Sequence, residues 1–168
     1  PICFSTYALV DLLLGWMKEK LDLVTDKIID TVVNLTGTQT GTLYENDEVI
    51  VSGTMPALGI VELSRIEDLT IDGHPALLAY DITIYAGPLS KELGRVWQPD
   101  EPLTVTFKSD ALAGHTGELG VYHMADENAA AEAEYVSATQ LNEDGTSVSF
   151  QADSFSVYAI IGHEGGEV

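Results

Sequence analysis

The sequence predicts a mostly β fold: an antiparallel β-sandwich of about seven to eight strands with one N-terminal amphipathic helix. Three observations carry this expectation. Between residues 10 and 35 the apolar residues Leu13, Met17, Leu21, Val24, Ile28 and Val32 recur at three- and four-residue steps. Beyond residue 47 the period changes to two, in short runs rich in Val, Ile, Thr, Tyr and Phe. Turn signals separate those runs, among them Ser52-Gly53, Asp72-Gly73-His74-Pro75, Gln98-Pro99-Asp100-Glu101-Pro102 and Glu143-Asp144-Gly145.

In chain order, residues 1–10, "PICFSTYALV", read as a strand. Phe4-Ser5-Thr6-Tyr7-Ala8 repeats the order of types in Phe155-Ser156-Val157-Tyr158-Ala159 near the other end. The expectation is a terminal strand from a preceding repeat domain of a longer precursor. Such an orphan edge would pair either with this sandwich or, by strand exchange, with another copy. Residues 11–36 read as the amphipathic connecting helix, whose widened apolar stripe suits a sheet or a helix-mediated homodimer. The glycines and threonines of residues 37–47 read as a linker. Residues 48–162 then hold the sandwich, in the runs "EVIVSG", "GIVELSRI", "LLAYDITIYA", "LTVTFKS", "LGVYHM", "EYVSATQL", "TSVSFQA" and "FSVYAIIG". "GPLSKELGRVW" adds a helical turn, and "QLNEDGTSVSF" reads as a hairpin because Gly145 supplies positive φ. Residues 163–168 read as a flexible tail.

Composition sets the chemical bounds. Forty-five per cent hydrophobic content across 168 residues is enough for a real core. The formal net charge of -20 repels phosphate backbones and argues against nucleic-acid binding. The single cysteine, Cys3, excludes an intrachain disulfide. The apolar stretch "YALVDLLLGW" is too short and too charged for a membrane span.

Few residues invite chemistry. His74, His115, His123 and His163 lack the close spacing and cysteine partners of a zinc site, so no metal and no cofactor is expected. The acidic stretches "YENDE", "ADENAAAEAE" and "NEDG" match no calcium loop. Ser156 is the one plausible nucleophile. A serine hydroxyl at a strained strand edge can attack the carbonyl before it when a base takes its proton and donors hold the oxyanion. His123, at the end of "LGVYHM", is the candidate base. Against this, Phe155, Val157 and Ala159 alternate with Ser154, Ser156 and Tyr158 as an ordinary half-buried strand would.

The phrases "VIVSGTMP", "LLAYDITIYAGP", "VWQPDEPLTVTFKSDAL", "LGVYHMADENAAAEAEYV" and "VSFQADSFSVYAIIG" together resemble the repeated β-sandwich domains of large secreted surface proteins of gut clostridia and related Gram-positive anaerobes. The resemblance spans residues 43–162. It implies an extracellular, adhesin-like module, attached to the cell surface through other parts of a precursor and flanked by neighbouring domains. A fainter resemblance joins the last strand to the self-cleaving domains of death-domain and inflammasome proteins, cut before the last serine of a His-Phe-Ser or Ser-Phe-Ser phrase. That likeness implies cleavage of Phe155-Ser156 with Ser156 as nucleophile and an upstream histidine, here His123, as base. Ser154 stands where many such sites have histidine.

The leading expectation is therefore a non-enzymatic spacer or adhesion module of a bacterial surface protein. One alternative is an intramolecular autoprotease acting at Phe155-Ser156. Another is a module that binds a host or cell-surface protein through an exposed aromatic such as Trp16, Trp97 or Tyr44.

Overall fold

The computed structural model describes residues 2–114 and 118–162, with side chains from residue 12 onward except residue 14. The expected tail and the histidines at 115 and 163 lie outside the described residues.

Helix α1 spans Ile2–Thr36, so residues 2–10 of the expected strand are helical and the helix expected from residue 11 starts at residue 2. Nothing in the first ten residues after Pro1 breaks a helix, and each residue added to an existing helix gains a hydrogen bond without a new nucleation cost. Among the described residues, no strand pairs with this segment. α1 ends where Gly37 takes φ 77 and donates its N–H to the Val33 carbonyl at 2.9 Å, a left-handed cap that glycine adopts without a Cβ penalty. Near its C-terminal end, half-buried Ile29, Val32 and Val33 line a cavity of about 250 Å³ together with Leu58, Ala86 and Leu89, which lie in the connections between strands. Arg95 adds an ion pair to Asp22 at 2.8 Å and lies 3.6 Å from Asp26.

Among the described residues, eleven strands follow instead of seven or eight. All eight runs expected from the sequence are present: β2 (Val49–Pro56), β3 (Ile60–Arg65), β6 (Leu78–Tyr85), β7 (Leu103–Lys108), β8 (Leu119–Met124), β9 (Glu134–Thr139), β10 (Ser147–Ala152) and β11 (Val157–Gly162). The surplus has two sources. The segment expected as linker contains β1 (Thr38–Glu45), whose β-branched threonines suit an edge strand, and Thr40 bonds Thr54 of β2 at 2.8 Å. The turn at Asp72-Gly73 closes a two-residue ribbon, β4 (Thr70–Ile71) with β5 (His74–Pro75). The expected helical turn is α2 (Pro88–Glu92).

All pairings are antiparallel. One sheet has the order β1-β2-β7-β10 and the other β3-β6-β11-β8-β9. The two sheets share one core: Val51, Val105 and Phe107 from the first meet Tyr80, Ile82, Tyr158 and Ile160 from the second. Phe107 is the hub, with ring centroids 5.0 Å from Tyr80 and 5.2 Å from Phe150. A second cluster covers the opposite face of the β11 sheet, where Val157, Ala159 and Ile161 lie with Leu69, Ile71 and Met124. β11 is thus buried on both faces, which accounts for its unbroken apolar run "VYAIIG".

The hairpin expected at "QLNEDGTSVSF" is a corner instead. Gly145 does take φ 74 and bonds the Asn142 carbonyl at 2.9 Å, yet β9 pairs with β8 and β10 with β7, in different sheets. The turn geometry was local and legible, whereas the partner strands are chosen by burial: Val148, Phe150 and Ala152 of β10 face the shared core beside β7. Gly53, by contrast, is needed for space as well as φ. It sits at φ 141, and a Cβ there would come 2.5 Å from Leu103 Cδ2. Gly53→Ala is expected to lower unfolding free energy by about 1–3 kcal/mol, checked by urea denaturation.

Candidate functional site

The site forms where the chain enters β11. Phe155 is buried in the shared core, and Ser156 follows it, half-buried, just before the strand begins. The entry is clamped. The Phe155 N–H donates to Gln98 Oε1 at 2.7 Å, and Gln98 Nε2 donates to the Phe155 carbonyl at 3.1 Å. One residue earlier, the Tyr158 hydroxyl donates to the Ser154 carbonyl at 2.6 Å. Burial pushes that phenol up to about 12, so it stays a donor throughout the neutral range.

The register of β8 on β11 brings in the histidine. His123 lies opposite Tyr158, and its ring stacks on the tyrosine with centroids 4.6 Å apart. Ser156 is two residues before Tyr158 and therefore the diagonal neighbour of His123 on the same face. Its Oγ lies 2.6 Å from His123 Nε2 and donates to the Met124 carbonyl at 2.8 Å. A hydroxyl has one proton, so these two acceptors compete for it. When Nδ1 carries the ring proton, Nε2 is free to take the serine's.

A register shift tunes the other side of His123. Val121 pairs with Ser137 but Tyr122 pairs with Tyr135, so Val136 is an extra residue on β9. The shift places Glu134, rather than Tyr135, opposite His123. Burial is the larger influence on His123 and holds its pKa below the ordinary 6.5, while the Glu134 carboxylate pulls it back up. Near neutral pH the ring is therefore an uncharged base with a carboxylate at hand for the imidazolium.

The same shift has a consequence for stability. A folded-state pKa below the unfolded one means that the unfolded chain binds more protons between the two values. This contribution is complete above pH 6.5 and is lost as pH falls from there toward the lowered folded value. Thermal melts are expected to show a smaller loss of stability over that window in His123→Gln than in the unaltered protein.

Ser156, His123 and Phe155 are thus brought together. The three aromatic residues expected to mark an interaction surface are not equivalent: Trp97 and Tyr44 are partly buried against the shared core, and Trp16 is exposed on α1. Two residues of the site carry no signal in the sequence. Glu134 joins it through a bulge, and Gln98 through an irregular segment 57 residues from Phe155. An open depression of about 520 Å³ in front of Ser156 is lined by Gln98, His123, Glu132 and Glu134. Among the described residues, no three His, Cys, Asp or Glu side chains converge as a metal site would require, and no helix is long and apolar enough to cross a membrane. Comparison with known proteins gave no match to a family model, to a curated protein or to a solved structure.

Proposed function

We propose that the chain is a self-cleaving module that cuts its own Phe155–Ser156 bond. The observation that carries this reading is the 2.6 Å contact between Ser156 Oγ and His123 Nε2, at a serine whose preceding carbonyl is the bond in question. In the reaction, His123 Nε2 takes the Oγ proton as Oγ adds to the Phe155 carbonyl carbon. The tetrahedral adduct collapses with breakage of the carbon–nitrogen bond, and the imidazolium returns its proton to the Ser156 nitrogen. The product is an ester between Phe155 and Ser156 Oγ, which water hydrolyses to a Phe155 carboxylate and a free Ser156 hydroxyl. Glu134 supports the charged imidazole during the first step.

The fold suits such a cut. We read the two sheets as an open sandwich whose last strand, β11, lies between β6 and β8 with both faces covered. After cleavage β11 is held in place by those neighbours, so the fragments stay together. The setting is the one that the resemblance implies: an extracellular, surface-attached module in a multi-domain bacterial protein, with an acidic surface of net charge -20. Intact mass under denaturing conditions tests the reading, with residues 1–155 and 156–168 as the expected products.

A second reading, a spacer or adhesion module without chemistry, is favoured by α1, where Leu12, Leu13, Trp16, Met17 and Leu21 are all exposed. An unbroken mass after long incubation across pH 5–9 would select it.

A further inference from the structure

Resting on the self-cleavage reading, we propose that Gln98 is a catalytic residue whose side-chain N–H forms the oxyanion hole for the Phe155 carbonyl. Its amide orientation is fixed by chemistry. The Phe155 N–H can only donate, so the Gln98 atom 2.7 Å away is Oε1. That leaves Nε2, a donor only, 3.1 Å from the Phe155 carbonyl oxygen. This oxygen belongs to the bond that Ser156 Oγ attacks, and it gains the negative charge when the carbon becomes tetrahedral. A donor already aimed at it needs no reorganisation as the charge develops.

The residue is also held from behind. The Trp97 N–H donates to the Ile84 carbonyl at 2.6 Å, Val96 bridges to Tyr85, and Trp97 packs against the shared core. Gln98 thus projects from a strap fastened to the end of β6. Among the described residues that line the depression none is a lysine or arginine, and Glu132 and Glu134 make it acidic. A neutral N–H is the donor that this setting offers an oxyanion. The second bond, from Phe155 N–H to Oε1, restrains the amide so that Nε2 cannot rotate away.

The test follows cleavage of the full chain over time by intact mass, for the unaltered protein, Gln98→Glu, Gln98→Ala and Ser156→Ala. Gln98→Glu has the same shape and keeps the acceptor for the Phe155 N–H, but replaces the donor with a carboxylate. It is expected to cleave about 10²–10³-fold more slowly with a thermal midpoint close to that of the unaltered protein. In Gln98→Ala the plateau rate is expected to fall by a similar factor while the midpoint of the pH–rate profile, set by His123, stays where it was. A residue that only braced the strand entry would lower the thermal midpoint in both variants, since each loses the bond from Nε2 to the Phe155 carbonyl, and would leave the cleavage rate of the folded chain unchanged. Cleavage of Gln98→Glu within threefold of the unaltered rate would overturn the assignment of Gln98. Absence of cleavage in the unaltered protein, with the same mass as Ser156→Ala at every pH, would instead overturn the self-cleavage reading beneath it.

Discussion

Ser156→Ala is expected to give one species of unbroken mass under conditions in which the unaltered chain separates into residues 1–155 and 156–168. The expected effect is close to all-or-none, because removing the nucleophile of a serine–histidine pair costs about 10⁶-fold in rate. His123→Ala is expected to act in the same direction, since Ser156 Oγ then keeps only the Met124 carbonyl, which cannot carry the proton on to the leaving nitrogen. The separation appears only in denaturant. In native buffer the cut protein is expected to elute as the intact one does, because Val157, Tyr158, Ala159, Ile160 and Ile161 are all buried and β11 is hydrogen-bonded on both edges. A cut chain that loses its C-terminal piece in native buffer would contradict this account of β11. An unaltered chain that never separates would contradict the site.

Phe107→Ala is expected to lower unfolding free energy by about 3–5 kcal/mol, read from urea denaturation with an unchanged m-value. Phe107 is fully buried at the centre of the shared core, between the rings of Tyr80 and Phe150, on a strand paired with β2 on one side and β10 on the other. The surrounding strands are fixed by their ladders, so the space left by the ring cannot close, and a cavity cost adds to the lost transfer energy. Against a typical domain stability of about 5–15 kcal/mol this is a large fraction. Leu35→Ala is the matched control: Leu35 is 82% exposed, and its loss is expected to stay within about 0.5 kcal/mol. A Phe107→Ala loss below about 1 kcal/mol would show that the two sheets do not depend on a common core.

The strands were legible for a local reason. In β2 and β7 every second side chain is buried over much of the strand, and that alternation is written in the residue types themselves. β1 was hidden because its threonines and glycine look like a linker until β2 lies beside them. The two copies of the Phe-Ser phrase show the limit most clearly. Phe4-Ser5 and Phe155-Ser156 open runs of similar types, yet the first lies in α1 and the second leads into the central strand β11. The difference is what stands next to each: a helix-forming stretch in one case, β6 and β8 in the other.

The site divides in the same way. The sequence by itself determined that a serine follows a buried-type aromatic at a strand entry, that a histidine ends a separate strand, and that the chain is acidic and β-rich. These are properties of residue types and short periods, which survive without knowledge of neighbours. Only the tertiary structure decided that His123 reaches Ser156, through the pairing of Tyr158 with His123. It also decided that Glu134 faces the histidine, through one extra residue in β9, and that Gln98 grips both backbone groups of Phe155. Register and long-range approach decide these contacts, and a one-residue slip would send each side chain to the other face.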